Sequence, residues 1–276
     1  MLSKYLSVND DLNIHYLEIT KKSPKLSLLL IHGLSSSAFL WTPLVNEFKN
    51  NNFDIYAIDL RGHGLSQKPE SGYSMDNLSK DITDFIEKKD LNNVIVIGQS
   101  LGGDLSVLVS AKSNQRIIGC IGIDGGAINL KKKFKNKDSA LKELRPPDLN
   151  GIHKDVMLER LRKNKPDWSE DAILGQFSIF EVDKKNLIKK RLKLRNHLKI
   201  LNSLWDNNPI QNLKKVNVPT LLILVKYNTD LTYLNNLDVK IEVERVSGDH
   251  DIHAQKPKLV YELIYKRIKR KFFEKE

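Results

Sequence analysis

The stretch Val94-Ile95-Val96-Ile97-Gly98-Gln99-Ser100-Leu101-Gly102-Gly103 carries two signals within ten residues. Four β-branched apolar residues in succession, with no polar alternation, suit a strand covered on both faces, which is the mark of a parallel sheet. They run directly into G-x-S-x-G, and Leu101 to Ala111 continues at helical spacing. A serine between such a strand and such a helix can sit on a sharp, strained turn with its hydroxyl exposed. Small residues two before and two after it keep the backbone and the neighbouring strands from clashing. The same residues would also suit a serine that does no more than cap a helix.

The surrounding chain repeats the strand signal. Ser27 to Ile31, Phe53 to Asp59, Ile117 to Ile123 and Thr220 to Val225 are short apolar runs of the same kind, and Val239 to Val246 supplies a further strand. Helical spacing occupies Ala38 to Phe48 and Met75 to Lys88, and Leu259 to Ile268 reads as a closing helix. Tyr5 to Val8 and Leu12 to Leu17, either side of Asn9-Asp10-Asp11, read as an antiparallel hairpin at the sheet edge. Alternating strands and helices predict an α/β architecture: a doubly wound, mostly parallel sheet with right-handed crossovers. After Gly125 the pattern changes. Residues 126–215 hold lysine runs, Pro146-Pro147, Pro166 and helical spacing without a convincing buried strand, so they predict an inserted helical unit. The sheet-forming core is then 1–125 together with 216–276.

Composition excludes several classes. The chain has 276 residues, 40% hydrophobic and 29% charged, too apolar for disorder and too charged for a membrane protein. A single cysteine, Cys120, makes neither an intramolecular disulfide nor a thiolate metal cluster. The opening MLSKYLSVNDD lacks the apolar stretch of a signal peptide, so a cytoplasmic location is expected. The net charge of +11 is concentrated: residues 126–215 carry 22 Lys+Arg against 11 Asp+Glu, while the flanks balance at 23 against 23. Such a surplus can steer anionic substrates or form a solvated lysine-rich face. No nucleic-acid partner is expected, because Lys131 to Lys133 and Lys189 to Arg195 lack interleaved aromatics or a binding module.

Three further segments fall where chemistry would need them. Ile31-His32-Gly33-Leu34-Ser35 follows the first buried strand, where a backbone NH can turn toward a developing oxyanion, with the NH of Leu101 as its partner. His32 there reads as a group that hydrogen-bonds loop backbone. Asp59-Leu60-Arg61-Gly62-His63-Gly64-Leu65-Ser66 suits a tight, structured loop, and His63 within it reads as scaffold. Near the end, Ser247-Gly248-Asp249-His250-Asp251-Ile252-His253 follows a strand and precedes Pro257, placing a base within reach of a serine at the top of the sheet. His250 is the preferred base and His253 the alternative. His15, His153 and His197 read as solvated or packing residues.

These pieces together resemble the α/β-hydrolase superfamily over nearly the whole core. The resemblance rests on the His32-Gly33 loop, the Asp59 to Ser66 loop, the Gly98 to Gly103 turn and the His250 to Pro257 segment. It implies a cap inserted after the sixth strand, matching 126–215, and a catalytic triad in the order serine, acid, histidine. Many relatives place the acid about nine residues beyond a proline like Pro219, but Asn228 stands there and the nearest carboxylate, Asp230, comes two residues late. Other members carry the acid at the end of strand six, where this chain has Asp124. Asp124 is preferred, with Asp230 the alternative.

The resemblance thus implies a serine hydrolase with Ser100 as nucleophile, His250 as base, Leu34 and Leu101 NH groups receiving the oxyanion, and no metal or organic cofactor. A serine at position 100 disfavours epoxide and haloalkane chemistry, which in relatives uses an aspartate. An ester of a small to medium acyl group is the expected substrate. Carbon-carbon, lactone or thioester hydrolysis on the same residues, or a noncatalytic ligand-binding role, are the alternatives. In the insert, Phe177, Ile179, Phe180, Leu198, Leu201, Leu204 and Trp205 could line an acyl pocket or form the insert's own core.

Overall fold

The computed structural model describes residues 1–9, 12–112, 115–127, 129–225 and 240–274. Its strands are β1 (Leu2–Asn9), β2 (Leu12–Ile19), β3 (Leu26–Ile31), β4 (Phe53–Ile58), β5 (Val94–Gln99), β6 (Ile117–Ile123), β7 (Phe180–Val182), β8 (Ile188–Lys190), β9 (Thr220–Leu224) and β10 (Ile241–Arg245). The helices are α1 (Thr42–Phe48), α2 (Met75–Lys88), α3 (Leu101–Ser110), α4 (Leu130–Lys133), α5 (Lys137–Glu143), α6 (Lys154–Asn164), α7 (Glu170–Phe177), α8 (Leu194–Asp206), α9 (Pro209–Leu213), α10 (Ile252–Gln255) and α11 (Pro257–Lys269). Among the described residues the main sheet has eight strands in the order β1-β2-β4-β3-β5-β6-β9-β10. The pairs from β4 through β3, β5, β6 and β9 to β10 are parallel, and β2 runs antiparallel to both β1 and β4.

The apolar runs are central because helices cover both faces of the sheet. Along β5, Val94 and Val96 pack with Leu29, Ile31, Leu105 and Val107 on one face, while Ile95 and Ile97 pack with Leu28, Leu30, Trp41 and Phe48 on the other. Fully burying each such side chain contributes about 2 kcal/mol, so none of the four positions from Val94 to Ile97 can be polar without loss. The α2 helix shows the complementary pattern: Leu78, Ile82, Phe85 and Ile86 face inward, and the Ser74 side chain accepts from the Asn77 NH at its start.

Two local features depart from the sequence reading. The helical spacing of Ala38 to Phe48 divides into a 3₁₀ turn (Ala38–Trp41) and α1, because Pro43 stands in the first turn of α1, where it lacks an NH to donate backwards. Between β6 and β9 the described regular elements are the helices α4 to α9 and the strands β7 and β8, which pair antiparallel as a separate two-stranded sheet. Their turn is set by Asp183, whose carboxylate accepts from the Lys185 and Leu187 NH groups at 2.8 and 2.9 Å, with Asn186 at positive φ. Three-residue strands are too short for alternation to register in the sequence. Phe177, Ile179 and Phe180 pack with Met157 and Ile188 as a small core of this insert. Asn228 and Asp230 lie outside the described residues.

Candidate active site

Ser100 occupies the sharp turn between β5 and α3, with φ 53° and ψ −118°, a conformation that non-glycine residues rarely adopt. Its neighbours explain why the turn needs glycines. A Cβ on Gly98 would lie 1.9 Å from the Gly102 carbonyl oxygen, and one on Gly102 would lie 2.0 Å from the Ile31 oxygen. The turn is held from below, since the Ser100 NH donates to the Ile123 carbonyl at 3.0 Å. The serine side chain makes no cap bond to α3, which disposes of the helix-capping reading of its hydroxyl.

His250 and Asp124 meet across 126 residues of chain. His250 Nδ1 donates to Asp124 Oδ2 at 2.5 Å, while Asp124 Oδ1 accepts from the Val225 NH at 3.1 Å. Asp124 is buried at the end of β6, and its own NH donates to the Ile223 carbonyl at 2.7 Å. Both carboxylate oxygens are thereby oriented. With Nδ1 protonated toward the carboxylate, Nε2 on the opposite side of the ring carries the lone pair, and the imidazole is 55% exposed. Burial pulls the His250 pKa down, but the Asp124 hydrogen bond and the charges of Asp251 and Asp124 outweigh it, so the net displacement is upward from 6.5. The backbone of His250 is fixed as well: Gln99 Nε2 donates to its carbonyl at 2.9 Å.

Ser100, Asp124 and His250 line one cavity of about 240 Å³, together with Leu34, Leu101, Asp104, Lys133, His197, Leu201 and Leu204. No hydrogen bond joins Ser100 to His250, although both line the same cavity. Catalytic contacts are commonly looser before substrate is bound. The Gly33 turn passes beside the serine, since a Cβ there would fall 3.2 Å from Ser100 Cβ. Leu101 opens α3, whose first NH groups have no intrahelical acceptor, and neither its NH nor that of Leu34 donates to any other described residue.

The remaining histidines do other work. His32 donates from Nδ1 to the Gly33 carbonyl and accepts the Leu60 NH on Nε2. Burial, with a contribution from His32, holds His63 down at about 3, and it accepts the Ser35 NH at 3.2 Å. His253 is buried against Trp41 with its pKa also pushed to about 3 by burial, so it is not an available base at neutral pH. Asp59 binds His15 Nδ1 at 2.7 Å and the Ala38 and Leu65 NH groups at 2.7 and 2.9 Å, holding the loop that follows β4.

Two cavity residues escaped the sequence reading. His197 was expected to pack or to be solvated; instead it reaches the cavity from α8, with Nε2 donating to the Leu144 carbonyl and Nδ1 accepting from the Ser35 hydroxyl at 2.8 Å. Its spacing with Leu201 and Leu204, four and then three residues on, places all three on one helix face and was the available signal. Asp104, one turn into α3 from Ser100, was the other. Of the insert's candidate pocket residues, Leu201 and Leu204 line this cavity. Among the described residues no three His, Cys, Asp or Glu side chains are gathered as metal ligands, and no helix is long and apolar enough to cross a membrane.

Comparison with known proteins bears on the fold. The family model described as alpha/beta hydrolase fold matches residues 27–222. A 2-(acetamidomethylene)succinate hydrolase of Mesorhizobium japonicum is 32% identical over 120 residues, which is 44% of this chain and 43% of that protein. The chain therefore spans less than half the length of that relative. A Mycoplasma genitalium protein whose provisional name is esterase/lipase 2 is 26% identical over 262 residues, 88% of this chain and 89% of that one. Among solved structures, E-2-(acetamidomethylene)succinate hydrolase superposes with a TM-score of 0.81 at 21% identity, covering 97% of this chain and 99% of the other, a likeness of fold. On the family match, which takes in β3 through most of β9, the chain belongs to the α/β-hydrolase fold family.

Proposed function

We propose that the chain is a serine hydrolase that cleaves a carboxylic ester of a small to medium acyl group through an acyl-enzyme. The single observation that carries this reading is the convergence on one cavity of a strained, uncapped serine and an imidazole already paired with a buried carboxylate. A serine hydroxyl is a poor nucleophile at neutral pH and needs a base. His250 Nε2 takes its proton as Oγ attacks the carbonyl carbon, and Asp124 holds the imidazole tautomer and stabilises the imidazolium. The NH groups of Leu34 and Leu101 receive the oxyanion, a role in which one donor is typically worth about 3 kcal/mol of barrier. Collapse returns the proton to the leaving alcohol, and water, deprotonated by the same imidazole, releases the acid. The cavity of about 240 Å³ has room for a modest acyl chain. Residues 126–215 act as the cap over this cavity, contributing Lys133, His197, Leu201 and Leu204 to its walls.

The test is a fluorophosphonate probe followed by peptide mapping, with aryl esters of short and medium chain offered to the wild type and Ser100→Ala. The expected result is label on the peptide containing Ser100 and turnover lost in the variant. A second reading, a noncatalytic ligand-binding protein, draws on the absence of a Ser100–His250 hydrogen bond. Equal residual rates in wild type and variant, with no label, would establish it in place of the first.

A further inference from the structure

The cavity around Ser100 has an apolar side, made by Leu34, Leu130, Leu144, Leu201 and Leu204, and an ionisable side whose members are nearly all engaged. Asp124 holds the His250 imidazole and the Val225 NH, and His197 is bound through both nitrogens to Ser35 and the Leu144 carbonyl. Asp104 is only 6% exposed. Lys133 is the exception. It is exposed, and among the described residues its ammonium makes no hydrogen bond or ion pair; Nζ lies 5.4 Å from the centre of the Phe134 ring. The short helix α4 places it there. Leu130 and Lys133 are three residues apart, hence on one face, and both line the cavity, whereas Lys131 and Lys132 do not. The Lys133 charge also acts on His250, where it opposes protonation of the imidazole.

We propose that Lys133 is a specificity-determining residue that pairs with a carboxylate carried by the substrate, so that the ester cleaved at Ser100 bears a second, ionised acid group on its acyl or its alcohol part. The proposal rests on the hydrolase reading and narrows its substrate class from a plain alkyl ester to an anionic one. A single cation without a carboxylate partner, set over apolar walls, matches a short hydrocarbon chain that ends in one negative charge. A dianion such as a phosphate monoester would bring a second charge with no second free cation on the described walls, and Asp124 would repel it. The exposed ammonium stays hydrated until substrate arrives, so keeping it at the cavity costs little, and its attraction strengthens as the ligand displaces water. The insert's surplus, 22 Lys+Arg against 11 Asp+Glu, draws such an anion toward the site. A bland alternative exists: Lys133 belongs to a solvated lysine-rich face together with Lys131 and Lys132. In that case the three lysines act alike, through their summed field.

The experiment uses two isosteric pairs of aryl esters at pH 7. Mono-p-nitrophenyl adipate against p-nitrophenyl adipamate puts the charge on the acyl part, and 5-acetoxy-2-nitrobenzoate against 5-acetoxy-2-nitrobenzamide puts it on the alcohol part. The quantity read is the kcat/KM preference for carboxylate over carboxamide within a pair, from which any change in His250 itself divides out. Lys133→Met is expected to lower it about fivefold in at least one pair, the upper end for a solvated ion pair, and Lys133→Glu about twentyfold, because a repulsion then replaces the attraction. Lys133→Arg keeps it within twofold, as does Lys131→Met/Lys132→Met. Preferences within twofold of wild type in the Met and Glu variants, for both pairs, would overturn the proposal, and so would an equal fall in the Lys131/Lys132 double variant. Binding of the same four esters to Ser100→Ala and Ser100→Ala/Lys133→Met, measured by calorimetry, reads the pocket without turnover. An inert, unlabelled wild type would therefore sink the hydrolase reading alone, while carboxylate-to-carboxamide Kd ratios equal in these two proteins would sink the Lys133 proposal alone.

Discussion

Replacing Asp104 by Asn should stabilise the protein, and by an amount that grows with pH. In an unfolded chain an aspartate titrates near 3.9, whereas burial raises Asp104 in the folded state to about 8. Between those two values the folded protein holds a proton that the unfolded chain has released. Stability therefore falls as pH rises, fully present below the unfolded value and lost by the time pH passes the folded one. Each unit is worth about 1.4 kcal/mol, so the three units from pH 4 to pH 7 amount to about 4 kcal/mol. The start of α3 offsets some of this, because a helix N-terminus favours the ionised form by up to about 1 kcal/mol. About 3 kcal/mol is left. Asn cannot titrate, and every other ionisable group is common to both proteins, so the difference between them isolates position 104. Urea unfolding of both at half-unit steps from pH 4.5 to 8.5, with m-values checked for equality, should give a stability difference that moves in favour of Asn by about 3 to 4 kcal/mol across the range. A difference flat to within about 0.5 kcal/mol would show an ordinary, solvated carboxylate and refute the argument.

Other consequences follow from the same geometry. Asp124→Asn should depress kcat by about 10³–10⁴-fold with KM little changed, because the imidazole loses its tautomer and its counter-charge, while Asp230→Asn stays within about threefold; steady-state kinetics on one aryl ester decides the ranking. The kcat/KM profile should rise with pH as neutral His250 appears, with its midpoint above 6.5, since the Asp124 hydrogen bond overrides burial there; a flat profile from pH 5 to 8 would contradict it. His253→Phe should leave that midpoint in place, because His253 is already neutral across the range. Gly98→Ala should destabilise by more than about 3 kcal/mol or abolish folding, since the added methyl would meet the Gly102 oxygen at 1.9 Å; soluble expression and thermal melting read the outcome.

Much of this molecule is legible in its sequence because the sheet is parallel and covered. A strand buried on both faces is apolar at most positions, so β3, β5, β6 and β9 appear as apolar runs within two residues of their observed bounds. Ser100 and its glycines read equally well, because the close approach of β5, β3 and α3 admits no side chains at 98 and 102. What could not be read are contacts made by short or solitary polar residues. β7 and β8 are three residues each and carry no period. Asp104 looks like an acid in the first turn of a helix, a common and bland arrangement, and only the fold shows it 6% exposed at the wall of a cavity. His197 lies 162 residues from the Ser35 it binds, a pairing that no local pattern encodes. The preference for Asp124 over Asp230 came from its position at the end of a strand, and the His250 contact now supplies a physical partner for that carboxylate.

The cavity walls divide between the two parts of the chain in a way that separates chemistry from fit. Ser100 stands at the N-cap of α3, and Leu101 and Asp104 lie in its first turn, so this wall of the cavity is fixed to the end of β5. The width of the cavity is set instead by Leu201 and Leu204 on α8, and α8 is tied to the core loop through the His197–Ser35 contact. A second tie reaches the His250 loop itself: Lys165 binds Asp249 Oδ2 at 2.7 Å, Trp168 Nε1 donates to the same oxygen at 3.3 Å, and Gln255 donates to Asp167 at 2.5 Å. The Lys165 hydrogen bond holds Asp249 below the usual carboxylate range, so its carboxylate is ionised wherever His250 is neutral. The insert therefore grips the core beside the Gly33 turn and beside His250, and displacing it would loosen both at once.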